Sequence, residues 1–268
     1  MNFEEFIRRF GTEKKCVQYL KKERERRGIC CSNCKSNVTN WRSKHMYWRC
    51  KCGKKISLKS GTMLESTKLK YSIWFKAIFL MTHINKSYSC AELSRVLGIK
   101  RERTVWYLMM KIRTAMGKDL NAKDYFQYLY IYAANKDSEK NITGLKNQSI
   151  SAICRSVKKG NDEISLIAPV ELQVSVFAKE NNLKQSGYRC LKILGVQEAI
   201  ELKDPMSPVK SSVKNWMDTL LMNSNRILNG VHHGVSFLHI QKYMFEFSFN
   251  YNYRNKDKFR RLFECLLT

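Results

Sequence analysis

Four of the ten cysteines fall where a single metal ion could be held: Cys31-x-x-Cys34 and, after fifteen intervening residues, Cys50-x-Cys52. A tetrahedral thiolate site with Zn–S bonds of about 2.3 Å needs sulfurs roughly 3.5–4 Å apart, and a cysteine pair on a tight turn presents two of them together. The remaining cysteines, at 16, 30, 90, 154, 190 and 265, are scattered singly. That spacing predicts a structural zinc on Cys31, Cys34, Cys50 and Cys52 rather than a disulfide framework, and a reducing, intracellular compartment, cytoplasm or nucleus. Cys50-x-Cys52 is tighter than the usual Cys-x-x-Cys. Cys30 is read as a small packed thiol, with substitution as a ligand the alternative.

The residues around the sulfurs are basic, in the run Arg49-Cys50-Lys51-Cys52-Gly53-Lys54-Lys55. The chain as a whole has 49 Lys and Arg against 23 Asp and Glu, a net charge of +26. The excess is uneven, with 28 basic and 9 acidic residues in 1–120 and 21 and 14 in 121–268. A compositional bias toward lysine would spread evenly, whereas charge gathered in one half is the footprint of a polyanionic partner. The N-terminus begins an acidic amphipathic helix rather than a basic, apolar leader, and no apolar run approaches the ~20 residues of a membrane span. Double-stranded DNA is therefore the expected partner, with no membrane and with a homodimer as the assembly left open.

These residues must be positioned by the elements around them. Residues 2–10 and 12–27 read as two short helices, Thr12 capping the second and Gly28 closing it. The charged end of the second helix is either solvated or set against phosphate. Residues 29–61 form short strands around the cysteine turns. Trp41, Tyr47 and Trp48 are read as packing around a small core, with base stacking the less common fate. From Ser72 an apolar stripe of Trp74, Phe75, Ile78, Phe79 and Met81 has helical period. Ser89 and Glu92 then form a capping box, Leu97-Gly98-Ile99 a turn, and Val105, Leu108, Met109, Ile112 and Met116 one face of a longer helix. That is helix-turn-helix spacing, and the second helix opens with Lys100, Arg101 and Arg103, where a recognition helix meets DNA. Beyond 121 the chain reads as strands first, at 125–132, 149–157 and 163–170, and helices later, at 211–228 and 236–250.

The order of parts resembles the zinc-ribbon insertion-sequence transposases related to Merlin elements. The resemblance is carried by Tyr47–Thr62, Trp74–Ile78, Glu92–Ile99, Lys111–Met116 and the run Gly230–Phe247 followed by Asn252 and Arg254. It implies a multidomain α+β protein: residues 1–62 a helical lead-in and zinc ribbon, 63–120 a helix-turn-helix region, and 121–268 an RNase H-like domain. In that family three carboxylates hold two divalent ions, Mg²⁺ or Mn²⁺, that cleave and join phosphodiesters. The three windows where those acids belong read Leu129–Asn135, Asn181–Ser186 and Pro208–Lys214, and none of them contains a carboxylate.

The expectation is thus a transposase-derived, zinc-containing DNA-binding protein without catalytic residues. Lys100, Arg101 and Arg103 would enter the major groove, with Lys51, Lys54, Lys55, Lys59, Lys111 and Arg113 as further DNA contacts. The alternatives are an active DDE-type transposase with its acids elsewhere, near Asp124, Asp137, Glu180 or Asp218, and a structural or dimerisation protein. His232, His233 and His239, with Lys242, Tyr243 and Glu246, are read as a polar network fixing a helix, ahead of a catalytic role.

Overall fold

The computed structural model describes residues 1–83, 87–121, 128–132, 150–156, 163–167, 219, 223–224, 226–232, 235 and 239–267. Helices and small antiparallel sheets alternate along it. In chain order these are α1 (Phe3–Phe10), α2 (Glu13–Arg27), β1 (Trp41–Arg42), β2 (Tyr47–Arg49), β3 (Lys55–Ser57), α3 (Tyr71–His83), α4 (Cys90–Leu97), α5 (Glu102–Asn121), β4 (Tyr128–Tyr132), β5 (Ile150–Ser156), β6 (Glu163–Ile167), α6 (Ile240–Asn252) and α7 (Lys258–Leu266). The chain divides into two units. One comprises Met1–Ile84, Ala91–Ala115 and Asp257–Thr268, the other Asn85–Cys90 and Met116–Lys256. The last helix therefore joins the N-terminal unit, whereas residue order alone groups it with the strand-rich segment.

Local sequence explains where the first helices begin. Asn2 Oδ1 accepts the Glu5 amide at 2.8 Å and Thr12 Oγ1 the Lys15 amide at 3.4 Å, each satisfying a first-turn N–H. The apolar faces then meet in an aromatic cluster. Phe6 stacks on Phe79 at 4.4 Å, Phe10 on Phe259 at 5.2 Å, and Phe263 lies 4.9 Å from Phe75. The Trp74–Met81 stripe is buried as its period demands. The entry to α3 is capped from far away in sequence: the two oxygens of Glu13 accept the amides of Tyr71 and Ser72, each at 2.8 Å.

The ribbon is a three-stranded antiparallel sheet in the order β1-β2-β3, with Trp41 opposite Trp48 and Trp48 opposite Ile56. These three share one face because side chains alternate along a strand. That face packs on α2: Trp48 is fully buried, its indole N–H donates to Glu25 at 3.2 Å, and the Arg24 and Lys21 cations lie over Trp48 and Trp41. Arg24 completes the join, its Nη1 donating to the carbonyls of Ser57, Leu58 and Ser60 at 3.2, 2.9 and 2.7 Å.

Helices α4 and α5 are joined by a tight turn. Gly98 has φ +67°, its amide donates to Arg95 O, and the Ile99 amide donates to Ser94 O. This pair of bonds is the Schellman arrangement, which requires a left-handed residue that glycine adopts at least cost. Leu93 on α4 and Val105, Leu108, Met109 and Ile112 on α5 are buried. In the second unit β4, β5 and β6 form an antiparallel sheet in that order, with a register irregularity at Cys154/Ser156, and α6 lies against β6.

Candidate metal centre and basic surface

The four predicted sulfurs come together. Cys31 Sγ lies 3.6 Å from Cys52 Sγ, Cys34 Sγ lies 3.3 Å from Cys50 Sγ, and all four are within 4.8 Å of one another. They are therefore positioned to hold one metal ion. Each pair sits on a turn shaped by the backbone. The Lys35 amide donates to Cys31 O at 2.9 Å with Lys35 at φ 58°, and the Gly53 amide donates to Cys50 O at 3.0 Å with Gly53 at φ +87°. The tight Cys50-x-Cys52 spacing is accommodated by Gly53, whose positive φ turns the chain immediately after the second sulfur.

Thiol chemistry supports the same use. The Ser36 hydroxyl, 3.0 Å from Cys34 Sγ, together with the Ser36 amide, holds the Cys34 thiol down to about 6. The same hydroxyl lowers Cys50. Cys52 moves the other way: the Lys54 amide favours its thiolate, but its neighbouring thiols and desolvation outweigh that, pushing it up to about 11. Four sulfurs this close cannot all ionise beside one another unless a cation compensates them, and a bound divalent metal does so. Cys30 is not a fifth member. Its thiol points to Lys35 O at 3.2 Å and the residue is exposed, which corrects its reading as a packed thiol.

The basic residues separate by environment. Lys51, Lys54 and Lys55 are exposed on the ribbon, and Lys100, Arg101 and Arg103 are exposed at the turn into α5. Helix α5 begins at Glu102, so Lys100 and Arg101 lie in the turn and only Arg103 is helical, its guanidinium 3.3 Å from Tyr107 Oη. Three of the expected DNA contacts are directed elsewhere. Lys59 Nζ donates to the carbonyls of Thr67 and Leu69 at 2.7 and 3.2 Å, Lys111 Nζ donates to Glu65 O at 2.8 Å, and Arg113 is fully buried. Arg113 thus cannot present its charge to a phosphate. The reason is in the sequence, since it stands four residues after Met109 and three before Met116, on the helix's inner face. The signal missed in the other direction is Arg24, a half-buried clamp within what reads as a charged helix end.

Part of the C-terminal polar cluster is joined by hydrogen bonds. Ser87 Oγ donates to Glu246 Oε1 at 3.0 Å and lies 3.0 Å from His232 Nε2, while the His232 ring meets Tyr243 edge-on at 4.5 Å. With the single Ser87 proton on Glu246, His232 is the donor to Ser87, the reverse of what activation of a serine nucleophile requires. These groups line a cavity of about 250 Å³. His239 precedes α6 at its N-cap, and His233 lies outside the described residues. Of the three windows expected to hold catalytic acids, only Leu129–Tyr132 belongs to the described residues, as part of β4; the rest lie outside them.

Compared with known protein families, curated proteins and solved structures, the chain gives no match. Among the described residues, no helix is long and apolar enough to cross a membrane.

Proposed function

We propose that this chain is a transposase-derived DNA-binding protein that carries a structural zinc and does not itself cut DNA. The observation that carries the reading is the exposure of Lys100, Arg101 and Arg103 at the turn into α5, in the same unit as a four-cysteine cluster set on a basic ribbon. Four cysteine sulfurs select zinc or iron, and a four-thiolate site at two turns of a small sheet favours structural zinc, which leaves no open coordination position for chemistry. In this reading α4, the Gly98 turn and α5 form a helix-turn-helix in which Arg101 and Arg103 enter the major groove, as the order of helices supports. The antiparallel β4-β5-β6 sheet with α6 beside it is compatible with an RNase H-like domain. The carboxylate-free windows support the loss of its two-metal chemistry.

Metal analysis and a mobility-shift assay test the two halves of the proposal. One zinc per chain and a shifted duplex are expected. Replacing Arg101 and Arg103 with alanine should cost about 1–3 kcal/mol per lost base contact at the preferred sequence, with a smaller loss on random duplex. Strand transfer by the purified protein with Mg²⁺ or Mn²⁺ on terminal-repeat DNA would overturn the non-cutting half, and no shift at low salt would overturn the binding half.

A further inference from the structure

The ribbon has a second face that the metal does not use. Alternation along the strands sends Trp41, Trp48 and Ile56 inward onto α2, and so sends Arg42, Tyr47, Arg49, Lys55 and Ser57 outward. Arg42, Arg49 and Lys55 are exposed, and the Lys55 ammonium lies 5.4 Å from the centre of the Tyr47 ring. Arg49 and Lys55 are direct cross-strand partners. Like charges so placed weaken a sheet.

Nothing nearby in sequence neutralises them. Between Glu25 and Glu65 the chain has no carboxylate, and it has ten Lys and Arg there, of which all but Lys59 are exposed. The two acids that bound this stretch are engaged: Glu25 with Trp48 and Lys21, and Glu65 with the Gly61 amide. The outward face therefore gathers like charges that a bound polyanion would offset. Apart from the exposed Asn40, whose carbonyl accepts the Arg49 amide at 2.9 Å, it offers cations, a phenol and a hydroxyl, groups that serve phosphate contacts.

We propose that the outward face of this sheet, through Arg42, Arg49 and Lys55 with Tyr47 between them, grips the phosphodiester backbone of duplex DNA independently of sequence. The inference rests on the DNA-binding reading and divides its labour: the ribbon face supplies sequence-independent affinity, and the turn into α5 supplies preference.

The test uses the metal-replete full-length protein and random-sequence duplex DNA. Each phosphate contact contributes about 0.9 to the slope of log K against log salt. The Arg42→Ala/Arg49→Ala variant should therefore show a slope shallower by about 2 and affinity lowered alike on random and preferred sequence. Lys55→Gln should lower the slope by about 1, and Arg42→Lys/Arg49→Lys should restore it. Zinc content read on each variant separates lost contacts from a lost fold, and Lys55→Gln decides the matter if the double alanine variant releases its metal. Wild-type affinity and slope in these variants would overturn the assignment of the face while leaving DNA binding in place. Failure of the wild-type protein to bind duplex at low salt removes the underlying reading, and preference for single-stranded DNA that is lost on Tyr47→Ala assigns the face to unpaired bases instead.

Discussion

Arg24 and Arg113 carry the same charge as the residues expected on DNA, yet both point inward. What distinguishes them is position on a helix, and for Arg113 the helical period gives it away. For Arg24 no local pattern could, because its three carbonyl partners lie 33 to 36 residues further on. Removing Arg24 leaves those carbonyls without their cationic donor. Arg24→Ala should cost about 1–3 kcal/mol, read as a lower denaturant midpoint at unchanged slope. Glu13 makes a similar long-range join. Partial burial pushes its carboxyl up, but the hydrogen bonds from Ser72 and Tyr71 and the charge of Lys70 outweigh it, and the net shift is downward. A depressed carboxyl contributes stability above its unfolded value of about 4.5 that is lost as pH falls through the lower folded value. Glu13→Gln should therefore destabilise the protein at neutral pH, by a few tenths of a kcal/mol given solvent screening of a mostly exposed group, and by progressively less below pH ~4.5, seen by comparing denaturation midpoints at pH ~7 and pH ~4. An equal cost at both would show that packing, not charge, is lost.

At the scale of elements, the cysteine spacing makes the ribbon legible because metal ligation is a local constraint: two turns and four sulfurs suffice to state it. Helices α1, α2 and α3 are legible for a related reason, since caps and apolar period are written within a turn or two. The exact start of α5 is not, and with it the placement of Lys100 and Arg101 in the turn, because the Gly98 motif ends α4 without dictating where the next helix begins. The Gly98 turn itself gives a sharp expectation. A Cβ there meets nothing within 4 Å, so Gly98→Ala is a test of conformation alone. It should lower stability by about 1–2 kcal/mol through left-handed strain and weaken preferred-sequence binding more than random-sequence binding. The ribbon gives another. It shares only α2 with the aromatic cluster, which meets that helix through Tyr19, so chelating the metal should expose Trp48 and redshift tryptophan fluorescence while most helical circular dichroism persists. Concerted loss of both signals would mean that the helices depend on the metal.

At the scale of the whole molecule, the uneven charge is the property on which the proposed DNA binding rests. Lysine enrichment without a partner would leave a protein whose ion dependence is weak and featureless, whereas cations arranged for phosphates release counterions when DNA binds. With Arg101 and Arg103 on base edges, Lys100 and the three cations of the ribbon's outer face would make about four phosphate contacts, for a slope near −4 in log K against log salt. Between 50 and 200 mM salt that is a loss of roughly 10²-fold in affinity, measurable by fluorescence anisotropy on duplex DNA. Mg²⁺ should then act on binding only as a competing counterion, weakening it as a divalent salt does. A protein holding two metals between carboxylates would behave differently, since millimolar Mg²⁺ would organise its site and produce nicked or joined strands. Binding that weakens with Mg²⁺ while the DNA stays intact is the outcome expected of a chain whose three windows contain no acid. Strand joining under the same conditions would place working carboxylates elsewhere in residues 121–268.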